Sequence, residues 1–149
     1  AKPDPATLSF LATSLPVACA KIEAGATFAQ TQPVYDLEAL ARFLGHSEAR
    51  AIPVLVGLIP LLSLKQTLFF PKEGPGSVVP AAIQERMRRA AEKGKEHERA
   101  EGIAVARELA AGIAQLARGI HIMPMGRYAT VAEVLEAIPG APPAPAVRA

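Results

Sequence analysis

The sequence predicts an α/β fold, with about three parallel strands and flanking helices. Three observations point there. Short β-branched runs alternate with longer segments at helical spacing, the signature of βαβ units joined by crossovers. The 149 residues make about one domain. Half of them are apolar and 20% are charged, a balance that supports a packed core and excludes a disordered chain.

The elements follow in order. Asp4-Pro5 opens a helix, with Asp at the N-cap and Pro at the first helical position, and Gly25 ends it. Pro16 kinks or breaks this helix, and its apolar surface (Leu8, Phe10, Leu11, Leu15, Val17, Ala18, Ile22) demands cover on more than one face. A first strand over 27–31 is sparse in apolar residues, which fits a strand opening on a polar site. Asp36 caps a helix over 37–44 that Gly45 terminates. The run 52–57 is the clearest strand.

Leu58 to Leu62 then lead to a short helix, capped by Ser63 and reaching about residue 70. Gly74-Pro75-Gly76 marks a loop over 71–80. Helices over 81–93 and 96–117 follow, separated near Gly94, and 119–123 reads as the third strand. Thr130-Val131-Ala132-Glu133 matches a capping box that starts a last helix to 138. The domain therefore spans 1–138, and 139–149, with four prolines, is an extended tail. A three-stranded parallel sheet has two free edges and needs helices on both faces. Such a sheet is part of something larger.

Composition narrows the function classes. With no Trp, five Phe and two Tyr, the core must be built from Ala, Leu, Val and Ile. A net charge of +2 from 16 basic and 14 acidic residues argues against a nucleic-acid surface. The single Cys19 excludes an internal disulfide and a multi-cysteine metal cluster. No stretch is long and apolar enough for a membrane span, and Ala1-Lys2-Pro3-Asp4 lacks a signal-peptide layout, so a soluble protein of the reducing cytoplasm is expected.

Familiar catalytic motifs (Ser-His-Asp, HExxH, Walker, GxGxxG) are absent. His46 reads as a solvated C-cap residue, His97 as part of a charged helix, and His121 as a lone, structural strand residue. The run 85–101, with six Lys/Arg and five Glu, reads as a solvated face stitched by i,i+4 pairs.

The polar groups worth attention sit after the strands, where parallel α/β folds gather their sites. The three loops carry Gln32 and Tyr35, then Gln66, then Arg127 and Tyr128. Two amides, a guanidinium and two phenols suit a planar heterocycle that bears a carboxylate.

These residues lie in a pattern. Lys21-Ile22-Glu23-Ala24-Gly25-Ala26, followed by Thr31-Gln32-Pro33-Val34-Tyr35-Asp36, resembles the K-x-x-A-G-A…TQ-x-x-[YF]-D stretch of methylenetetrahydrofolate reductases. Residues 52–60 look like that family's next strand, and 119–123 with Gly126-Arg127-Tyr128 like its last. Gln32-Pro33 and the Pro75-Gly76…Pro80 loop are most similar to the branch fused to a homocysteine methyltransferase domain.

The resemblance implies the C-terminal part of a (β/α)8 TIM barrel. It implies FAD as cofactor, NAD(P)H as hydride donor, and reduction of 5,10-methylenetetrahydrofolate to 5-methyltetrahydrofolate. By the same resemblance Gln32, Gln66 and Arg127 contact the folate, and Lys21 and Gln32 the flavin. The family's catalytic glutamate and most of its flavin contacts lie on earlier strands, so activity implies completion by an N-terminal half, with a second copy or a complementing chain as partner. The alternative is a catalytically inactive interaction or folate-binding module.

Overall fold

The β-branched run after Pro53 forms the central strand of the molecule, seen in a computed structural model that describes residues 17, 19–46, 52–73 and 78–141. In chain order the elements are β1 (Ala29–Pro33), α1 (Leu37–Gly45), β2 (Val54–Leu58), α2 (Leu64–Glu73), α3 (Ala81–Glu92), α4 (Lys95–Leu116), β3 (Gly119–Ile122) and α5 (Ala129–Leu135). The strands lie in the order β1-β2-β3, and both pairings are parallel. The α/β class and the parallel sheet expected from the sequence are therefore present. The long opening helix lies outside the described residues save for its last turns, helical over 19–23. They close at Gly25 (φ 96°), with Gly25 N–H donating to Ile22 O and Ala26 N–H to Lys21 O, a glycine-ended Schellman cap.

Register explains which side chains meet. Ala29 pairs with Val54, Val56 with Ile120 and Leu58 with Ile122. All six belong to or pack on the hydrophobic core under the helices. The alternate positions, Gln30 beside Leu55 beside Gly119 and Gly57 beside His121, point to the other face. There Gln30 and His121 are exposed and Leu55 is half-buried. The expectation of helices on both faces is thus corrected: among the described residues one face is covered and the other is open.

Helix α4 is the centre of the covering layer. Its 22 residues span about 33 Å. It buries Ile103, Val105, Ala106, Leu109, Ala110 and Ile113, and it packs on α1, α3, α5 and the sheet. Two glycines make that approach possible. A Cβ on Gly102 would overlap the Leu61 carbonyl oxygen, and one on Gly112 would overlap Leu37.

The charged run behaves differently from the sequence expectation. Its i,i+4 pair is Arg89–Glu85 (2.9 Å), but its better ion pairs join separate helices. Arg86 binds Glu101 (2.6 Å) and forks onto Glu108 (2.6 and 2.9 Å), tying α3 to α4. Arg99 reaches Glu133, and Arg107 reaches Glu136 and the Glu133 carbonyl, tying α4 to α5.

Three further corrections concern element ends. β1 is shifted from 27–31 to Ala29–Pro33, because its pairing with Val54–Gly57 rather than its apolar content sets its bounds. α2 runs through Pro71 to Glu73, past the expected loop start. Thr130 is not an N-cap: it lies inside α5, buried, with its N–H donating to Arg127 O, while Glu133 pairs with Arg99 instead of closing a capping box. The tail beyond residue 141 lies outside the described residues.

Candidate functional site

The C-terminal end of β2 organises the site. Three consecutive carbonyls there accept from three different partners. Gly57 O accepts from Val34 N–H (3.0 Å), Leu58 O from Met123 N–H (2.9 Å) and Ile59 O from the Tyr35 hydroxyl (3.1 Å). The β1–α1 and β3–α5 loops therefore both dock on the end of the central strand. Burial provides the strength: Tyr35 is 3% exposed, and desolvation holds its hydroxyl well above the ordinary phenol range, so it stays a donor. The sequence reading offered this phenol to a ligand; in the fold it is committed to Ile59.

Gln32 is exposed at the end of β1, just where the ladder is irregular between Gln30 and Pro33. Thr31 steadies that step, its Oγ1 accepting from Gly57 N–H (3.0 Å) and donating to Gln32 O (2.7 Å). Asp36 caps α1 as expected, accepting from Ala39 N–H (2.9 Å). His46 is the exposed C-cap of the same helix.

Gln66 lies in the first turn of α2 and is half-buried. Its Oε1 accepts from Leu62 N–H (3.0 Å), while its own N–H donates to Ser63 Oγ (3.2 Å). That arrangement closes the start of α2 from both sides and leaves the amide Nε2 as the group still open to a ligand. Arg127 is exposed after β3, its N–H donating to Pro124 O (2.9 Å) across a turn with Met125 (φ 48°) and Gly126 (φ 84°) in the left-handed region.

Topology thus carries Gln32, Gln66 and Arg127 to the same end of the sheet. Lys21 stands apart: it is exposed in the helical turn that precedes the N-terminal end of β1. Among the described residues neither Gln32, Arg127 nor Lys21 has a side-chain partner in the protein. Cys19 is half-buried in the turn before Lys21.

Gln30 was not singled out in the sequence, and His121 was read there as structural. In the fold both are exposed on the open face, flanking half-buried Leu55, while the Thr31–Gln32 backbone lies against Gly57. The signal was period-two alternation: Ile120 and Ile122 face the core, so His121 must face away.

The family model described as methylenetetrahydrofolate reductase matches residues 4–139. The chain belongs to the methylenetetrahydrofolate reductase family. No curated protein matches it. Membership supports a folate-linked oxidoreductase function of the methylenetetrahydrofolate reductase kind, and the three parallel strands with flanking helices are consistent with part of that family's barrel. Among the described residues no helix is long and apolar enough to cross a membrane, and no group of three or more His, Cys, Asp or Glu is placed to hold a metal ion.

The donor set can be tested against the family's flavin and folate. The exposed side chains of Gln30, Gln32 and His121 offer donors and acceptors that suit the edge of a planar ring system. Arg127 and Lys21 fit anionic groups.

Proposed function

We propose that the chain forms the folate-binding flank of a methylenetetrahydrofolate reductase barrel. In this reading it contributes three strands to the FAD-mediated reduction of 5,10-methylenetetrahydrofolate to 5-methyltetrahydrofolate by NAD(P)H. The observation that carries the reading is the one-sided sheet. Among the described residues, neighbouring parallel strands run in chain order, helices cover one face, and exposed Gln30 and His121 stand with Leu55 on the other. A doubly wound sheet has helices on both faces, whereas a wedge of a barrel has them on one.

Within that wedge Gln32 offers a donor and an acceptor to the pterin edge and lies toward the flavin. Gln66 adds donors from its Nε2, and Arg127 forks onto a carboxylate of the folate's glutamate tail. Lys21 and Gln32 would hold the flavin. When bound, FAD supplies the two-electron chemistry between nicotinamide and folate. The acid and the opposing wall of the barrel lie on elements other than these three strands. Gln32-Pro33 and the Pro75-Gly76…Pro80 spacing support kinship with the branch fused to a homocysteine methyltransferase domain, and the lone cysteine supports a cytoplasmic setting.

Calorimetric titration of the chain with 5-methyltetrahydrofolate tests the reading, with visible absorbance recorded after adding FAD. Binding is expected, and Gln32→Ala should weaken it about tenfold, as loss of a good polar contact does. No folate binding, or full affinity in the Gln32→Ala protein, would overturn it. Folate binding with no flavin absorbance under any condition would instead identify a folate-binding module without redox chemistry.

A further inference from the structure

We propose that Tyr35 is a positioning residue whose hydroxyl locks the β1–α1 loop to the β2–α2 loop, so that the amides of Gln32 and Gln66 are held as one unit. The inference rests on the folate reading for what the unit binds, but the lock itself does not.

The β1 ladder is irregular between Gln30 and Pro33. Past that point the strand is held by Thr31 Oγ1 and by Val34 N–H, both on Gly57. The Tyr35 hydroxyl is the link that reaches beyond the strand, 24 residues along the chain, to Ile59 O. Both ends are buried, Tyr35 at 3% and Ile59 at 6% exposure, so water cannot replace the bond without opening the loops.

The far loop is rigid in its own right. The Leu61 carbonyl lies against Gly102 of α4, and Leu62 N–H is held by Gln66 Oε1. Tyr35 therefore fastens the Gln32 loop to one that already carries Gln66. The pattern this chain resembles admits Tyr or Phe here. A phenylalanine fills the same space without the bond, so the lock is a property of the hydroxyl and not of the ring.

The test compares Tyr35→Phe and Tyr35→Leu with the parent chain by amide hydrogen exchange without ligand, by thermal melting, and by titration with 5-methyltetrahydrofolate. Tyr35→Phe should exchange about tenfold faster over both 31–36 and 59–62 while α4 keeps its rates, and folate affinity should fall about fivefold or more. Tyr35→Leu should add a loss of melting temperature from the missing ring. Unchanged exchange in Tyr35→Phe overturns the proposal, and so does acceleration that includes α4, the mark of general destabilisation. Undiminished folate affinity in Tyr35→Phe overturns the positioning role. Coupled exchange in a parent chain that binds no folate upholds the lock and removes the folate reading instead.

Discussion

Single residues decide how closely the layers of this protein approach. Gly102 is the sharpest case, since a side chain there meets the Leu61 backbone, which has no soft end to move aside. Gly102→Ala should lower unfolding free energy by ~1–3 kcal/mol through overpacking, measured by urea denaturation with the slope unchanged. An unaltered midpoint would show that α4 does not sit on the 59–62 loop as described. Gly102 was legible in the sequence only as a small residue on a helix; nothing local marks which backbone it must admit. Asp36 is the opposite case. Its N-cap role is local chemistry, the carboxylate meeting an N–H three residues on, and it was legible from sequence for that reason. Tyr35 looked like a ligand group from spacing alone, because its carbonyl partner, Ile59, lies 24 residues away in the β2–α2 loop.

At the scale of elements, the helices are stapled by arginine. Arg86 on α3 holds Glu101 and Glu108 on α4, and its hydrogen bonds keep the Glu108 carboxyl below the ordinary glutamate range. A carboxyl depressed in the folded state stabilises it at every pH above its unfolded value, and that contribution is lost as pH falls through the folded value. The Glu108 side chain is 61% exposed, so the contribution is small and screened by salt. The melting temperature of the parent chain should therefore fall more steeply below about pH 4 than that of Glu108→Gln, and the two curves should converge in acid. Parallel curves at all pH values would mean the pair is idle.

Strands and helices were legible as elements because apolar periodicity is local, and every strand was found within two residues of its place. Their ends were less so. β1 ends at Pro33, in register with Gly57 near the end of β2, and Thr130, a capping residue by pattern, lies buried inside α5. The run 85–101 illustrates the same limit: sequence shows balanced charge, but pairing across helices depends on how α3, α4 and α5 are stacked.

At the scale of the whole molecule, the decisive feature among the described residues is a sheet with helices on one face only and with its polar loops at one end. The dressed face follows from Val54, Val56, Leu58, Ile120 and Ile122, and was foreseeable from alternation. The open face was not, since a parallel sheet ordinarily calls for cover on both sides; among the described residues exposed Gln30 and His121 flank half-buried Leu55 there, and the Thr31–Gln32 backbone lies against Gly57. The candidate site was legible to the extent that Gln32, Gln66 and Arg127 follow strands. That Gln66 gives its oxygen to Leu62, and that Lys21 lies toward the other end of β1, needed the fold.

The most direct measurement is a nuclear magnetic resonance titration of the isotopically labelled chain with 5-methyltetrahydrofolate. The side-chain amides of Gln32 and Gln66, the Arg127 guanidinium and the imidazole of His121 should shift together and saturate with one affinity, while α3 and the outer face of α4 stay still. Shifts confined to the helical layer, or none at millimolar ligand, would contradict a folate site on the bare face of the sheet.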